Sequence, residues 1–191
     1  MKILFFDTET TSVDTVNGAM HQLTGCIEID GVVKEEFDFH IQPFKGALIE
    51  PKALEIGGVT LEQIMEYDLH TTAYSNFVVM LDKYVDRFNK KDKMFLCGYN
   101  NASFDNQFLR NMFTRNFNNY FGSYFWSSPL DVFVLASFRL MGARKYMPDF
   151  KQGTVAKALG IEVDETKLHN ALYDLSILRQ IFYKLYDKPN S

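Results

Sequence analysis

The apolar residues of this 191-residue chain follow a strand-like spacing in some segments and a helical spacing in others. The order of these segments restricts the fold more than any other feature. Short strand-like runs extend over residues 2–6 and 21–29. The pair Asp30-Gly31 that follows is a strong hairpin signal, and alternating apolar residues at 33–41 predict the returning strand, which ends at Pro43. The first quarter of the chain is therefore predicted to form three strands, two of them joined as a hairpin.

Helical spacing dominates the rest of the chain, with one further strand predicted at residues 94–97. The predicted helices span residues 72–89, 103–113, 130–140, 153–159 and 171–186. Within them we expect Phe88 and Leu172 to face inward, and Ser103 and Asn170 to act as N-caps. This order predicts an α/β fold whose mixed central β-sheet combines an antiparallel hairpin with parallel strands and is flanked by α-helices.

Composition sets the limits within which this fold must work. The hydrophobic fraction of 47% is enough for one buried core, so we expect a single domain over residues 1–186 followed by a polar tail at 187–191. Cys26 and Cys97 lie far apart without the spacing of metal ligands, which favours a reducing, cytoplasmic compartment. No apolar run reaches the roughly 20 residues of a membrane span, and no signal peptide is evident, so we expect no membrane partner.

Acidic side chains stand at the ends of several predicted elements. Asp7 and Glu9 follow the first strand and are one residue apart, so in an extended chain both carboxylates project to one side and can share a hard cation. Asp105 lies in the first turn of a helix that follows the strand at 94–97. If Asn170 caps the last helix, Asp174 lies about one turn inside it. Each acid alone has an ordinary explanation, such as a solvated turn or the helix dipole.

Three segments together give the chain a family resemblance. They are Phe6-Asp7-Thr8-Glu9-Thr10, Asn101-Ala102-Ser103-Phe104-Asp105 and His169-Asn170-Ala171-Leu172-Tyr173-Asp174. In order and approximate separation they are similar to the motifs of the DEDDh exonucleases, in the DnaQ-like branch of the ribonuclease H-like superfamily. The resemblance covers residues 2–185 and is closest in layout to the polymerase III epsilon exonuclease domain. It implies a ribonuclease H-like fold.

The resemblance also implies a chemistry, namely metal-dependent 3′→5′ exonuclease activity that releases nucleoside monophosphates with two Mg²⁺ or Mn²⁺ ions. By resemblance, Asp7 bridges the two ions, and Glu9 and Asp174 complete one site. Asp105 helps to hold the other ion, largely through water. His169, just outside the last helix, is implied as the general base toward the attacking water. The net charge of −4 argues against binding by a broad basic field, but carboxylates that bind cations form a positive site.

Substrate contacts are implied around the first two motifs. The residues that the resemblance assigns to the 3′-terminal nucleotide are Thr8, Thr10, Thr11 and Asn101. For the threonines, ordinary hydrogen bonding within a turn is an equal alternative. The chain departs from many relatives at Asn100 and Gly57, where those relatives carry histidine, and this departure bears on substrate preference rather than on hydrolysis.

Two other groups of side chains have open interpretations. The segment 116–128 is aromatic, rich in asparagine and irregular, and we expect a surface loop or insertion there. Its aromatic residues either pack against the sheet, which we favour, or stack on bases; they are Tyr120, Phe121, Tyr124, Phe125 and Trp126. A basic stretch either flanks a nucleic-acid groove or is a solvated loop, which we favour; it contains Arg139, Arg144, Lys145 and Lys151.

The expected partner is the 3′ end of a single-stranded nucleic acid, with DNA slightly favoured over RNA because of the likeness to the epsilon domain. A proofreading-type subunit that mainly binds a DNA polymerase is an alternative, as is an oligoribonuclease or RNA-trimming enzyme. A phosphatase of the haloacid-dehalogenase type is a further alternative, since a strand followed by D-x-E-T-T is similar to its signature. That family needs a second aspartate where Glu9 stands. The sequence leaves the oligomeric state open.

Overall fold

The computed structural model describes residues 1–167 and 170–186, and within them six strands form one sheet. The strands are β1 Lys2–Thr10, β2 Met20–Ile29, β3 Val32–Gln42, β4 Asp68–Leu69, β5 Phe95–Gly98 and β6 Leu130–Asp131. Their order across the sheet is β4-β3-β2-β1-β5-β6. The pairs β1–β2 and β2–β3 are antiparallel, whereas β5 runs parallel to β1 and β6 parallel to β5. The predicted mixed α/β sheet is confirmed.

Helices cover both faces of this sheet. They are α1 Pro51–Ile56, α2 Leu61–Met65, α3 His70–Asp82, α4 Asp105–Arg115, α5 Phe121–Tyr124, α6 Val132–Arg139, α7 Gln152–Ala158 and α8 Ala171–Tyr186. Two 3₁₀ helices span Met141–Tyr146 and Glu165–Lys167. Within the described residues, no helix is both long enough and apolar enough to cross a membrane.

The central strand β1 divides the core into two clusters, because successive side chains of a strand point to opposite faces. Leu4 and Phe6 pack on one face in a cluster that includes buried residues of α3 and α4. Ile3 and Phe5 pack on the other face against α6, α7 and α8. The alternation continues past the core, so Asp7 and Glu9 belong to the face covered by α6–α8, and Thr8 belongs to the face covered by α3 and α4.

The hairpin between β2 and β3 turns where the sequence predicts it. Asp30 and Gly31 both have positive φ, at 51° and 81°, as a two-residue turn of type I′ requires. The first strand, by contrast, does not stop at Phe6 as predicted. It continues to Thr10 because Asp7, Thr8 and Glu9 remain paired with β2. The first acids therefore lie within the strand and inherit its rigidity.

Two predicted helix boundaries are wrong. The helix predicted over 72–89 ends at Asp82, and Phe88 is 84% exposed instead of facing inward. A turn replaces its last part, with the Asp92 carboxylate accepting from the Asp86 N–H at 2.9 Å. Ser103 is not the N-cap of α4, which begins at Asp105 without a side-chain cap.

The aromatic segment and Leu172 also differ from expectation. Residues 116–128 contain α5, and Phe121, Tyr124 and Phe125 are buried in the α3–α4 cluster. This segment is not a surface loop because its backbone pairs with Met94. The Met94 N–H donates to Tyr124 O at 2.9 Å, and the Met94 carbonyl accepts from Trp126 N–H at 3.0 Å. The favoured alternative, packing, is correct for the three buried rings. Leu172, predicted to face inward, is 49% exposed because it lies in the solvent-facing first turn of α8.

Candidate active site

The end of β1 and the first turn of α8 line one cavity of about 370 Å³. Asp7 contributes from the strand and Asp174 from the helix, while Lys151, Gln152 and Lys157 lie on the α7 side. The arrangement follows from the alternation on β1, because Asp7 is on the same face as Ile3 and Phe5, which pack against α8. Two acids that are 167 positions apart in sequence thus meet at one opening.

Asp105 reaches the same strand from its other face. The Thr8 hydroxyl donates to Oδ1 of Asp105 at 2.5 Å, and both side chains are buried. Asp105 opens α4, which packs beneath Leu4 and Phe6. The predicted association of Asp105 with the first motif therefore passes through Thr8, the residue between the two acids of β1.

The segment that leads to Asp105 is fixed by a carboxylate from a different element. Asp131 accepts from the backbone N–H groups of Asn100 at 3.0 Å, Ala102 at 3.2 Å and Phe133 at 3.0 Å. The last of these bonds caps α6. Asn100 has a φ of 60°, a conformation that few residues other than glycine adopt, so the Asp131 contact holds a strained turn. The sequence pattern predicts only a helix over residues 130–140 in this region, so the supporting role of Asp131 was missed.

Asp174 is held by the start of its helix. The Asn170 side chain accepts from Tyr173 N–H at 3.0 Å, as the predicted N-cap requires, and the Asn170 carbonyl accepts from Asp174 N–H at 2.9 Å. The Gln152 side chain donates to the Asp174 carbonyl at 2.6 Å. His169, the implied general base, and the tail at 187–191 lie outside the described residues.

Electrostatics connect the four acids. Burial raises the pKa of Asp7 well above its usual range, and the negative charges of Asp105, Glu9 and Asp174 raise it further. Burial also raises the pKa of Asp105 to about 6, against the opposing effect of the Thr8 hydrogen bond. Carboxylates that repel one another in a partly dry site are stabilised by a cation.

The donor set fits a hard divalent cation, because Mg²⁺ and Mn²⁺ prefer carboxylate oxygen. The geometry is open, however. Within residues 1–167 and 170–186, no three histidine, cysteine, aspartate or glutamate side chains form a group arranged to hold one metal ion. The acids thus lie near one another, but no three of their carboxylates converge on a single point in the described residues.

Comparison with known proteins decides the family. The model of the RNase T family, described as Exonuclease, matches residues 4–182. This chain belongs to that exonuclease family. The resemblance to the DEDDh exonucleases is confirmed, and the enzyme is a 3′→5′ exonuclease.

Two curated relatives are both named ribonuclease T. The protein from Buchnera aphidicola is 30% identical over 167 residues, covering 83% of this chain and 70% of the relative. The protein from Blochmanniella pennsylvanica is 24% identical over 190 residues, covering 95% of this chain and 82% of the relative. The exonuclease therefore matches most of the length of both relatives.

Solved structures support the fold. E. coli exonuclease I in complex with a dT13 oligonucleotide superposes with a TM-score of 0.73 at 22% identity, over 96% of this chain and 41% of that one. Its zinc-bound complex with single-stranded DNA gives a TM-score of 0.75 at 23% identity, over 96% and 40%. The exonuclease described here thus spans about two fifths of the length of E. coli exonuclease I.

The residues predicted to bind the terminal nucleotide make internal contacts in the exonuclease. The Thr10 hydroxyl donates to Ser12 O at 3.0 Å. The Thr11 hydroxyl donates to Leu48 O at 2.6 Å and accepts from Ala19 N–H at 2.9 Å. The Thr10 bond is of the kind that the alternative of hydrogen bonding within a turn predicts. The Thr11 bonds instead fix the backbone beyond Glu9 against two neighbouring segments.

Asn101 is fully buried in the exonuclease. Its Nδ2 donates to Asn106 Oδ1 at 3.1 Å, while its Oδ1 has no partner in the described residues. Gly98 makes this position possible, because a Cβ there would lie 2.7 Å from the Asn101 Cβ. The side chain therefore packs against the end of β5 and helps to shape the turn that precedes Asp105.

His21 is a further buried residue that sequence reasoning missed. The register between β1 and β2 shifts at Glu9 and Thr10, which leaves His21 as the extra residue of a β-bulge. Its side chain is 1% exposed, and neither ring nitrogen has a partner in the described residues. A Cβ on Gly57 would lie 3.3 Å from His21 Nε2, so the imidazole borders the position where many relatives carry histidine. Burial, followed by repulsion from His40, lowers the pKa of His21 to about 4.

Proposed function

We propose that this exonuclease removes nucleoside monophosphates from the 3′ end of a single-stranded nucleic acid, using two divalent cations, Mg²⁺ or Mn²⁺. The observation that carries the proposal is the meeting of Asp7 and Asp174 at one cavity, where burial, followed by the charges of Asp105, Glu9 and Asp174, raises the pKa of Asp7. Three acids, from three separate segments, act on this one carboxylate. Such a set is costly to keep unless the enzyme needs the negative charge to bind cations.

Each acid has a distinct task in this proposal. Asp7 would help to hold both cations, Glu9 and Asp174 would complete one site, and Asp105, aligned by Thr8, would support the second. Bound divalent cations supply the positive charge that lowers the pKa of an attacking water and stabilises negative charge on the phosphate. His169 accepts the proton of that water. The water oxygen bonds to phosphorus as the bond to the upstream 3′ oxygen breaks, which yields a 5′-monophosphate and a new 3′ hydroxyl.

The backbone beyond Glu9 contributes the terminal-nucleotide site. Thr8, Thr10, Thr11 and Asn101 shape this region in the proposal, with Thr10 and Thr11 acting through the backbone that their hydroxyls fix. The sugar of the substrate is a separate question. The name ribonuclease T of the two relatives points to RNA as the substrate. The structure of E. coli exonuclease I with an oligodeoxynucleotide points to DNA. The DNA preference inferred from the sequence stays a prediction.

A digestion series tests the proposal. Single- and double-stranded DNA and RNA, labelled at the 5′ or the 3′ end, are incubated with the purified enzyme and Mg²⁺ or Mn²⁺, with and without EDTA. We expect a 5′-labelled ladder that shortens from the 3′ end, mononucleotide release, and complete inhibition by EDTA. The role of a subunit that only binds a polymerase predicts no hydrolysis by the purified chain.

Substitutions link this activity to the acids. Asp7→Asn and Asp174→Asn are each expected to reduce hydrolysis below detection, because neither amide replaces a charged ligand. Asp68→Asn is a matched control, since Asp68 is exposed on β4 at the far edge of the sheet. Undiminished digestion by Asp7→Asn would overturn the assignment.

A further inference from the structure

A second and larger cavity adjoins the acids, on the side of β5 and β6. Its volume is about 810 Å³, within the range of about 300–1,000 Å³ typical of ligand pockets. Tyr99, Phe133 and Phe150 provide aromatic wall, and Arg144 and Lys151 provide positive charge. None of these side chains has a place in the hydrolytic step described above.

The second cavity lies beside the active-site cavity. Lys151 and Gln152 line both cavities, so these two residues form the border between them at the start of α7. Gln152 also donates to the Asp174 carbonyl at 2.6 Å, which ties this border to the helix that carries an acid. Lys151 is exposed, so a nucleic-acid strand whose phosphate lies at Asp7 and Asp174 can reach the second cavity by passing over this border.

The lining chemistry fits bases joined to phosphates. Tyr99 and Phe133 meet edge to face with ring centroids 5.8 Å apart, and the Tyr99 hydroxyl donates to the Phe150 carbonyl, so the aromatic wall is held in place. The Arg144 guanidinium lies 5.3 Å from the Phe150 ring centroid. Aromatic faces stack nucleobases without regard to sequence, and neighbouring cations bind the phosphate backbone.

The position of this cavity relative to β1 indicates which nucleotides it takes. Thr10 and Thr11, assigned above to the terminal nucleotide, continue β1 toward the β2 side, where Thr11 N–H donates to Ala19 O. Tyr99 follows β5 and Phe133 follows β6, on the opposite side of β1. We propose that the second cavity binds the nucleotides immediately 5′ of the scissile phosphodiester. The inference rests on the proposed function, because that function places the scissile phosphate at the acids.

Filling the cavity provides a direct test. Ser137 lines it from α6, and Ser137→Trp places a bulky ring in the space. Val134→Trp on the same helix is the matched control, since Val134 is 59% exposed and does not line the cavity. Two substrates are compared: a 12-nucleotide single strand, and the p-nitrophenyl ester of thymidine 5′-monophosphate, which has no upstream nucleotide. We expect Ser137→Trp to raise KM for the 12-mer about tenfold and to change kcat/KM for the ester less than twofold.

Charge reversal gives a second test that does not depend on the folding of Ser137→Trp. Arg144 lines the cavity, whereas its neighbour Lys145 does not, and both are exposed. We expect Arg144→Glu to raise KM for the 12-mer several-fold more than Lys145→Glu does. Equal KM values in Arg144→Glu and Lys145→Glu, or a parallel loss of 12-mer and ester hydrolysis in Ser137→Trp, would refute the upstream site. Failure of the unmodified enzyme to cleave either substrate would instead refute the proposed function.

Discussion

Thr8 donates its hydroxyl proton to Oδ1 of Asp105 across 2.5 Å, and this bond joins the central strand to the start of α4. The two acids on either side of Thr8 point to the other face of the sheet. One strand thus presents two proposed metal ligands on one face and positions a third acid from the other.

Replacing Thr8 separates positioning from metal binding. Thr8→Val keeps the shape but leaves the buried Asp105 carboxylate without this donor, which we expect to cost about 1–3 kcal/mol of unfolding free energy. We also expect a lower kcat, because Asp105 loses its alignment. Urea denaturation and single-turnover hydrolysis measure the two effects. Thr8→Ser should recover both, and a Thr8→Val enzyme with unchanged kcat would contradict the positioning role.

Asp131 offers a test of support from outside the acidic cluster. Asp131→Ala removes the acceptor for three backbone N–H groups, one of which caps α6, and we expect a loss of about 1–3 kcal/mol in stability. We further expect a higher Mg²⁺ concentration for half-maximal activity, since the turn before Asp105 loosens. Asp14→Ala is the control, because the half-buried Asp14 also accepts from backbone N–H groups, those of Val16 and Asn17. Equal Mg²⁺ requirements in both variants would argue against the prediction.

The repulsion at Asp7 predicts a trade between stability and activity. Without metal, at a pH at which Asp7 is ionised, Asp7→Asn removes one charge from a partly buried group of carboxylates, so we expect its Tm in EDTA to exceed that of the unmodified enzyme. With Mg²⁺ the difference in Tm between the two proteins should narrow or change sign, because cation binding stabilises only the enzyme with all four acids. Differential scanning fluorimetry across a Mg²⁺ titration measures both. A lower Tm for Asp7→Asn in EDTA would show that the acids do not repel as described.

The buried His21 predicts a specific pH dependence of stability. Its pKa is lowered from 6.5 to about 4 in the folded chain, so between these values the unfolded chain binds more protons. The stabilising effect of the neutral ring is complete above pH 6.5 and is lost as the pH falls toward 4, a change of about 3 kcal/mol.

His21→Leu removes this contribution. We expect the difference in unfolding free energy between the two proteins to change by about 2 kcal/mol from pH 7 to pH 4.5, which is most of that amount. The acids of the active site titrate in both proteins, so they cancel in the difference. Urea denaturation at half-unit pH intervals provides the measurement, and parallel pH profiles would be the contrary result.

Local patterns in the sequence were sufficient for the hairpin and for the start of α8. Asp30-Gly31 specifies its own turn, and Asn170 specifies the start of α8, because both depend on neighbours within a few residues. The predicted boundaries of strands and helices are wrong where contacts with residues distant in the sequence determine them. The strand β1 extends to Thr10 because β2 pairs with it, and nothing in residues 7–10 alone encodes that pairing.

The residues that sequence reasoning missed act across the fold. Asp131 supports a turn about 30 positions away, and its sequence neighbourhood contains only the signal of a helix cap. His21 lies in a strand-like run, and only the shift in register with β1 reveals that it is an extra residue. The aromatic stretch is irregular in sequence because its rings fill gaps around Phe113 instead of following one face of an element.

The central place of β1 has a consequence for how activity is lost. Residues 3–5 of this strand are hydrogen-bonded along both edges and packed on both faces, so their backbone amides are expected to exchange with solvent only when the whole domain opens. Partial openings at the periphery, such as fraying of the short strand β4, leave Asp7 and Glu9 in place. Inactivation by heat or denaturant should therefore follow the global transition in a single cooperative step.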